Sequence, residues 1–161
     1  MDTNILSTFG KVERLDLLAS LFEGMTIGIS ESVCNEIRHA EEKGHAFCRD
    51  IIELVDAGKI KVLSPTPDEA RTAGSLPGSF GLGERDSVAM AIARKAVFVT
   101  NEKKVRNYCE RRGVDVLTLG QLLRALWELR KMTKKEVKAL MGNMERKDNL
   151  IITSKKEILD D

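Results

Sequence analysis

The sequence contains no apolar run approaching the ~18 to 20 residues that would cross a bilayer, and its N-terminus lacks the basic-then-apolar pattern of a secretory signal. Both absences lead to the expectation of a cytoplasmic protein with no membrane association. Cysteine is scarce: Cys34, Cys48 and Cys109 are odd in number and include no CxxC pair. Neither His39 nor His45 stands at zinc-finger spacing from them, so structural zinc and a disulfide framework are both disfavoured. These cysteines read as small apolar packing residues. There are only two histidines, and neither stands in a triad-like setting, which argues against nucleophilic hydrolysis. Gly78, Gly81 and Gly83 do not spell GxGxxG after a strand, and no Walker lysine follows them, which argues against a nucleotide cradle.

What is present is enough for one buried core. The chain has 161 residues, 42% of them hydrophobic, too few residues for two ordinary domains. The net charge of +1 conceals a polarity. Residues 1–80 carry 8 basic and 13 acidic side chains, and residues 81–161 carry 18 and 12. Solvated helix faces account for such runs as readily as a polyanionic partner does, so the asymmetry gains meaning only beside a site.

Val12, Leu15, Leu18, Ala19 and Phe22 recur at three- and four-residue steps and predict a helix over 11–23, closed by Gly24. A strand is expected over Met25 to Ile29. Ser30 caps a helix to about 43, another helix spans 46–57, and the strand Ile60 to Leu63 follows Gly58. Thr66-Pro67-Asp68-Glu69 joins an N-cap, a first-turn proline and a capping-box glutamate, opening a helix that ends at Gly74. After a Gly/Ser/Pro loop, a helix ends near Lys95 and runs into the strand Val97 to Thr100. A charged helix over 102–112, the strand Val114 to Leu117 and a leucine-striped helix over 119–130 complete the alternation. Thr133 with Glu136, and Ser154 with Glu157, predict two further capping boxes. Short apolar strands alternating with helices imply an α/β fold in three layers, with a central parallel sheet covered on both faces. The expected division is an α/β unit over 1–120 and a helical extension over 121–161 packed on the same domain.

Functional groups in such folds gather beyond the carboxyl ends of the strands. Acids stand at the corresponding places: Asp2, Glu36, the Glu84-x-Asp86 pair, and Glu102. Each alone has an ordinary explanation as a solvated or helix-capping charge. As a set they would repel one another unless a cation joined them. All-oxygen ligands with open positions suit Mg²⁺ or Mn²⁺, and such an ion can activate water against a phosphodiester.

The text around these acids resembles the PIN domain family. Asp2-Thr3-Asn4-Ile5-Leu6 is similar to that family's first signature, an aspartate closing strand one. Ser32-Val33-Cys34-Asn35-Glu36-Ile37 resembles the V-x-x-E-I pattern that delivers a helical glutamate. Gly83-Glu84-Arg85-Asp86-Ser87-Val88-Ala89 is similar to the GE-x-(D/E)-A-(I/V) helix start of one subfamily. Val97-Phe98-Val99-Thr100-Asn101-Glu102 resembles the V-x-T-N-D strand end, with Glu102 one methylene longer than the aspartate of the pattern. The resemblance covers roughly residues 2–120 and extends to the helical tail.

It implies a metal-dependent endoribonuclease, often the toxin of a toxin–antitoxin pair, using Mg²⁺ or Mn²⁺ and frequently homodimeric. A catalytically silent module binding RNA or protein is the alternative. By this resemblance Asp2, Glu36 and Asp86 are direct metal ligands, and Glu84 and Glu102 auxiliary ones. Thr3, Asn4, Thr100 and Asn101 are then expected to hydrogen-bond the carboxylates or bound water. Lys103, Lys104 and Arg106, with Arg85, are placed to hold RNA phosphates. The family's central first strand has only Met1 ahead of Asp2 here. Either an apolar run upstream of Met1 supplies it, or residues near Thr3 to Leu6 form a minimal strand.

Overall fold

The computed structural model describes residues 1–160. Fourteen elements follow in the order α1 (Thr3–Lys11), α2 (Leu15–Leu21), β1 (Ile27–Ser30), α3 (Glu31–Glu42), α4 (Phe47–Asp56), β2 (Ile60–Leu63), α5 (Pro67–Ser75), α6 (Leu82–Arg94), β3 (Phe98–Val99), α7 (Lys103–Arg111), β4 (Val116–Leu117), α8 (Leu119–Glu128), α9 (Lys134–Asp148) and α10 (Lys155–Leu159). This is an α/β fold with parallel strands.

Local chemistry sets most boundaries where the sequence predicts them. The Ser30 hydroxyl accepts the Val33 N–H at 3.2 Å and starts α3. Thr66 and Glu69 form a reciprocal capping box around Pro67, as do Thr133 and Glu136 at α9. Gly44 and Gly113, at φ 92° and 72°, release the chain after α3 and α7 through a left-handed turn open to glycine at little cost. The expected box at Ser154 and Glu157 is not formed. Ser154 has the backbone angles φ −99°, ψ 32° and its side chain makes no capping bond.

The N-terminal region differs from expectation. The helix expected over 11–23 is the shorter α2, which starts after a break at Glu13, whose φ is 57°, and a further helix, α1, precedes it over Thr3–Lys11, where none was expected. Helix begins at Thr3, so no minimal strand exists over Thr3 to Leu6. Ile5, Leu6, Phe9 and Val12 are all buried and recur at helical spacing. A strand would turn one of the adjacent pair Ile5 and Leu6 away from the core.

The strands form two pairs rather than one continuous sheet. β1 and β2 run parallel from Ile27↔Ile60 to Ser30↔Leu63, and β3 and β4 pair at Phe98↔Val116 and Val99↔Leu117. Met1 and Asp2 lie between the pairs. The Met1 ammonium donates to the Gly28 carbonyl at 2.8 Å, and the Asp2 N–H donates to the Val99 carbonyl at 3.0 Å. Two consecutive N–H groups thus reach opposite neighbours, as in an interior strand.

One core joins α1 to α4 with α8, α9 and α10, through Ile5, Leu6, Phe9, Ile51, Leu123, Leu126, Met141 and Met144 among others. Leu119, Leu122, Leu123 and Leu126 are buried there, so the leucine stripe is core; only Leu129 is left exposed. Asp148 receives both Thr8 and Lys11, tying α9 to α1. A second cluster under α6 gathers Leu76, Phe80, Val88, Phe98, Val105 and Cys109. All three cysteines are buried and free. Among the described residues no helix is long and apolar enough to cross a membrane.

Candidate functional site

Asp2 ends the two-residue link between the strand pairs and is the N-cap of α1. Its side chain is buried, and the Thr100 hydroxyl donates to Oδ2 at 2.9 Å. Burial pushes its pKa up, more than the bonds from Thr100 and the Asn4 backbone and the nearby Met1 ammonium pull it down, and Glu102 raises it further. The ammonium itself is lowered to about 6 by burial, against the attraction of Asp2.

The two residues after Asp2 reach two more acids. Thr3 Oγ1 donates to Glu36 Oε2 at 2.6 Å, and Asn4 Nδ2 donates to Glu102 Oε1 at 3.4 Å. Glu102 stands directly after β3, held by its N–H to Thr100 Oγ1 at 3.1 Å. The start of α6 closes on the same place, where the Gly83 N–H donates to Glu36 Oε1 at 3.3 Å. Gly83 is required by this approach. A Cβ there would lie 2.8 Å from Glu36 Oε1 and 2.9 Å from Val33 Cγ2.

The two acids of α6 separate. Residues two apart on a helix face nearly opposite directions. Glu84 completes the first turn by accepting the Gly81 N–H at 2.8 Å. Its pKa is raised by burial first and then by the charges of Asp2, Glu102 and Glu36, so it shares their field. Asp86 instead meets α3, where the Ser32 hydroxyl donates to it. The structure therefore links Asp2, Glu36, Glu84 and Glu102 through hydrogen bonds and shared charge, and sets Asp86 on the Gly83 side of α6 against Ser32, one turn before Glu36 on α3. Ser32 and Gly83 stand inside the acid-bearing segments but carry no charge, and neither was among the expected site residues. Their places in those segments, four residues before Glu36 and one before Glu84, were the available sequence signal.

Beside the acids, Glu84 and Glu102 share a cleft of about 500 Å³ with Ser79, Phe80, Lys103, Lys104, Val105 and Asn107. Lys103 and Lys104 are exposed. Arg106 is paired with Glu110 at 3.9 Å. Arg85 is engaged elsewhere, donating to the Phe80 and Gly78 carbonyls at 3.0 and 3.3 Å, so it braces the loop ahead of α6. Asn101 is exposed and, among the described residues, makes no side-chain bond to the acids.

The donor set fits a hard divalent cation. Every candidate ligand is a carboxylate oxygen, and burial first, with neighbouring carboxylates adding to it, raises Asp2 and Glu84. Among the described residues no three such groups converge into a ready cage. Glu36 and Glu102 are exposed, so turning their carboxylates onto an ion disturbs no core packing.

No curated protein and no solved structure matches the chain. A family model described as a PIN domain matches residues 1–157, which takes in the α8 to α10 tail as well as the alternating unit. PIN domains are in general nucleases and typically use divalent metals. With nearly its whole length matched, this chain belongs to the PIN domain family.

Proposed function

We propose that the chain is a metal-dependent endoribonuclease that hydrolyses RNA phosphodiester bonds at the crevice of Asp2, Glu36, Asp86, Glu84 and Glu102. One observation carries the reading: Thr100, Thr3 and Asn4 hydrogen-bond Asp2, Glu36 and Glu102 in turn, holding acids from three separate elements within a side chain's reach. Asp2, Glu36 and Asp86 are the direct metal ligands in this scheme, and Glu84 and Glu102 are auxiliary. Mg²⁺ or Mn²⁺ bound there would supply Lewis acidity to the scissile phosphate and lower the pKa of an attacking water. Glu102, exposed at the mouth, orients that water. Lys103 and Lys104 hold flanking phosphates and offset the repulsion between RNA and the acids. The family resemblance extends the reading to a homodimeric toxin countered by an antitoxin protein, a role that co-expression with the neighbouring reading frame would test.

A catalytically silent RNA- or protein-binding module is the second reading. It is favoured by the absence, among the described residues, of three converging acids. Cleavage of a labelled single-stranded RNA pool with Mn²⁺ and then with EDTA separates the two. The nuclease reading expects EDTA-sensitive cutting that Asp2→Asn and Asp86→Asn each reduce at least a hundredfold, with Glu84→Gln affected less. A folded wild-type chain that binds RNA without cutting it would assign the silent module.

A further inference from the structure

The cleft beside the acids carries groups that holding a cation does not use. Its volume is about 500 Å³, and Glu84 and Glu102 line it as well as the crevice, so the two are continuous. The loop over 77–81 forms one side and α7 the other. Phe80 and Val105 are buried between them and give the cleft an apolar floor. The loop is fixed by its own bonds. The Phe80 N–H donates to the Pro77 carbonyl at 3.0 Å, Arg85 donates to the Phe80 and Gly78 carbonyls, and the Gly81 N–H donates to Glu84 at 2.8 Å. A wall held in this way loses little freedom when a ligand arrives.

The α7 side presents Lys103, Lys104 and Asn107, all exposed. Among the described residues neither lysine is ion-paired, and the Asn107 carboxamide has no hydrogen-bond partner. Lys103 and Asn107 are four residues apart, so they stand one above the other on the same helix face, about 5–6 Å between Cβ atoms. A cation and an amide one turn apart, over an apolar floor, match the phosphate, edge and face of a single nucleotide. The carboxamide sets a donor beside an acceptor. Adenine answers that pair on either exposed edge, whereas the N7/O6 edge of guanine offers two acceptors. The smaller pyrimidines cover less of the floor. Only a single strand leaves a base free to present its edge and face in this way.

We propose that this cleft is a subsite for one adenine nucleotide of single-stranded RNA, adjoining the scissile phosphate, and that Asn107 is the residue that reads the base. The proposal rests on the nuclease reading for the RNA that enters the crevice. Lys103 and Lys104 hold the phosphate of that nucleotide, and Phe80 and Val105 receive the face of its base. The Ser79 hydroxyl, on the facing loop, offers the nucleotide a further hydrogen bond.

The test uses the full chain and short uridine RNAs that carry a single central adenine, guanine or cytosine, or none. Binding is read by fluorescence polarisation with Ca²⁺ in place of Mn²⁺ and again in EDTA. The adenine RNA is expected to bind about fivefold or more tightly than the other three, the low end for a paired base contact. Asn107→Ala should remove that preference without lowering Tm, because the side chain is exposed and alanine is the better helix former. Asn107→Asp, whose carboxylate only accepts, should favour the guanine RNA with its neighbouring N–H donors. Equal binding of all four RNAs by the wild type, no binding of any, or an adenine preference that either variant keeps would overturn the proposal. Cutting of the same RNAs with Mn²⁺ separates it from the nuclease reading. Adenine-selective binding without cutting defeats the nuclease and keeps the subsite, and cutting with no base preference defeats the subsite and keeps the nuclease.

Discussion

Replacing Gly83 with alanine sets helix propensity against packing, and the structure decides the sign. Alanine in a helix interior is worth about 0.8–1 kcal/mol over glycine, less in the first turn where Gly83 sits. Against that, the new methyl would stand 2.9 Å from Val33 Cγ2 and 2.8 Å from Glu36 Oε1. Glu36 is exposed and can swing away. Val33 cannot, being 1% exposed and stiff at χ1. Overpacking of this kind costs about 1–3 kcal/mol, so the net effect is a loss of about 1–2 kcal/mol, or roughly 2–8 °C in Tm at this chain length. The displaced Glu36 should also lower RNA cleavage at least tenfold. Gly142→Ala is the matched control, since its methyl would meet nothing within 4 Å in the middle of α9. It should gain about 0.5–1 kcal/mol. Urea unfolding and cleavage rates measured on both variants provide the check. If Gly83→Ala is as stabilising as Gly142→Ala and cuts at the wild-type rate, the close approach of α6 to Glu36 is refuted.

Asp2→Asn should abolish cleavage while raising metal-free stability at pH 7, because burial holds the folded Asp2 pKa above its unfolded value. The sign follows from the folded state binding more protons: the wild type loses stability as pH rises from about 4 through the folded pKa, so the variant's advantage in Tm should vanish near pH 3. Glu69→Gln tests the opposite case. Glu69 is 3% exposed and accepts from Arg94 at 2.7 and 2.8 Å, which with the Thr66 N–H holds its pKa down to about 2. Its contribution, about 1.5–3 kcal/mol for hydrogen bonds to a charged group, is present above about pH 4.5 and lost as pH falls toward 2. Equal destabilisation by Glu69→Gln at pH 7 and pH 2 in urea unfolding would refute the ion-pair origin. Lys103→Ala and Lys104→Ala should each weaken RNA binding and reduce the salt dependence of the association constant by about one unit of slope, measured by titration from 50 to 200 mM salt.

Most element boundaries were legible because they depend on neighbours in the chain. Thr66-Pro67-Asp68-Glu69 encodes its own helix start, and Ile60 to Leu63 is a strand between turn residues. Legibility failed where tertiary contacts choose among locally acceptable options. The apolar residues from Ile5 to Phe22 fit helix throughout, and the break at Glu13 comes from the need to bury both halves against different neighbours. At the site, the acids were visible as types at strand ends and helix starts. That Thr3 serves Glu36 and Asn4 serves Glu102 depends on contacts between residues 33 and 98 positions apart.

The sequence by itself determined the α/β order, the capped helix starts, the acidic character of the site and the family, since each is written in short-range pattern. Only the tertiary structure decided that Glu84 shares the field of Asp2, Glu36 and Glu102, that Asp86 meets Ser32, that Arg85 braces a loop, and that the strands part into two pairs around Met1 and Asp2. Those outcomes turn on helix rotation and on which backbone edges find partners. Both are set by packing between elements distant in the chain, and no local spacing of residues encodes them.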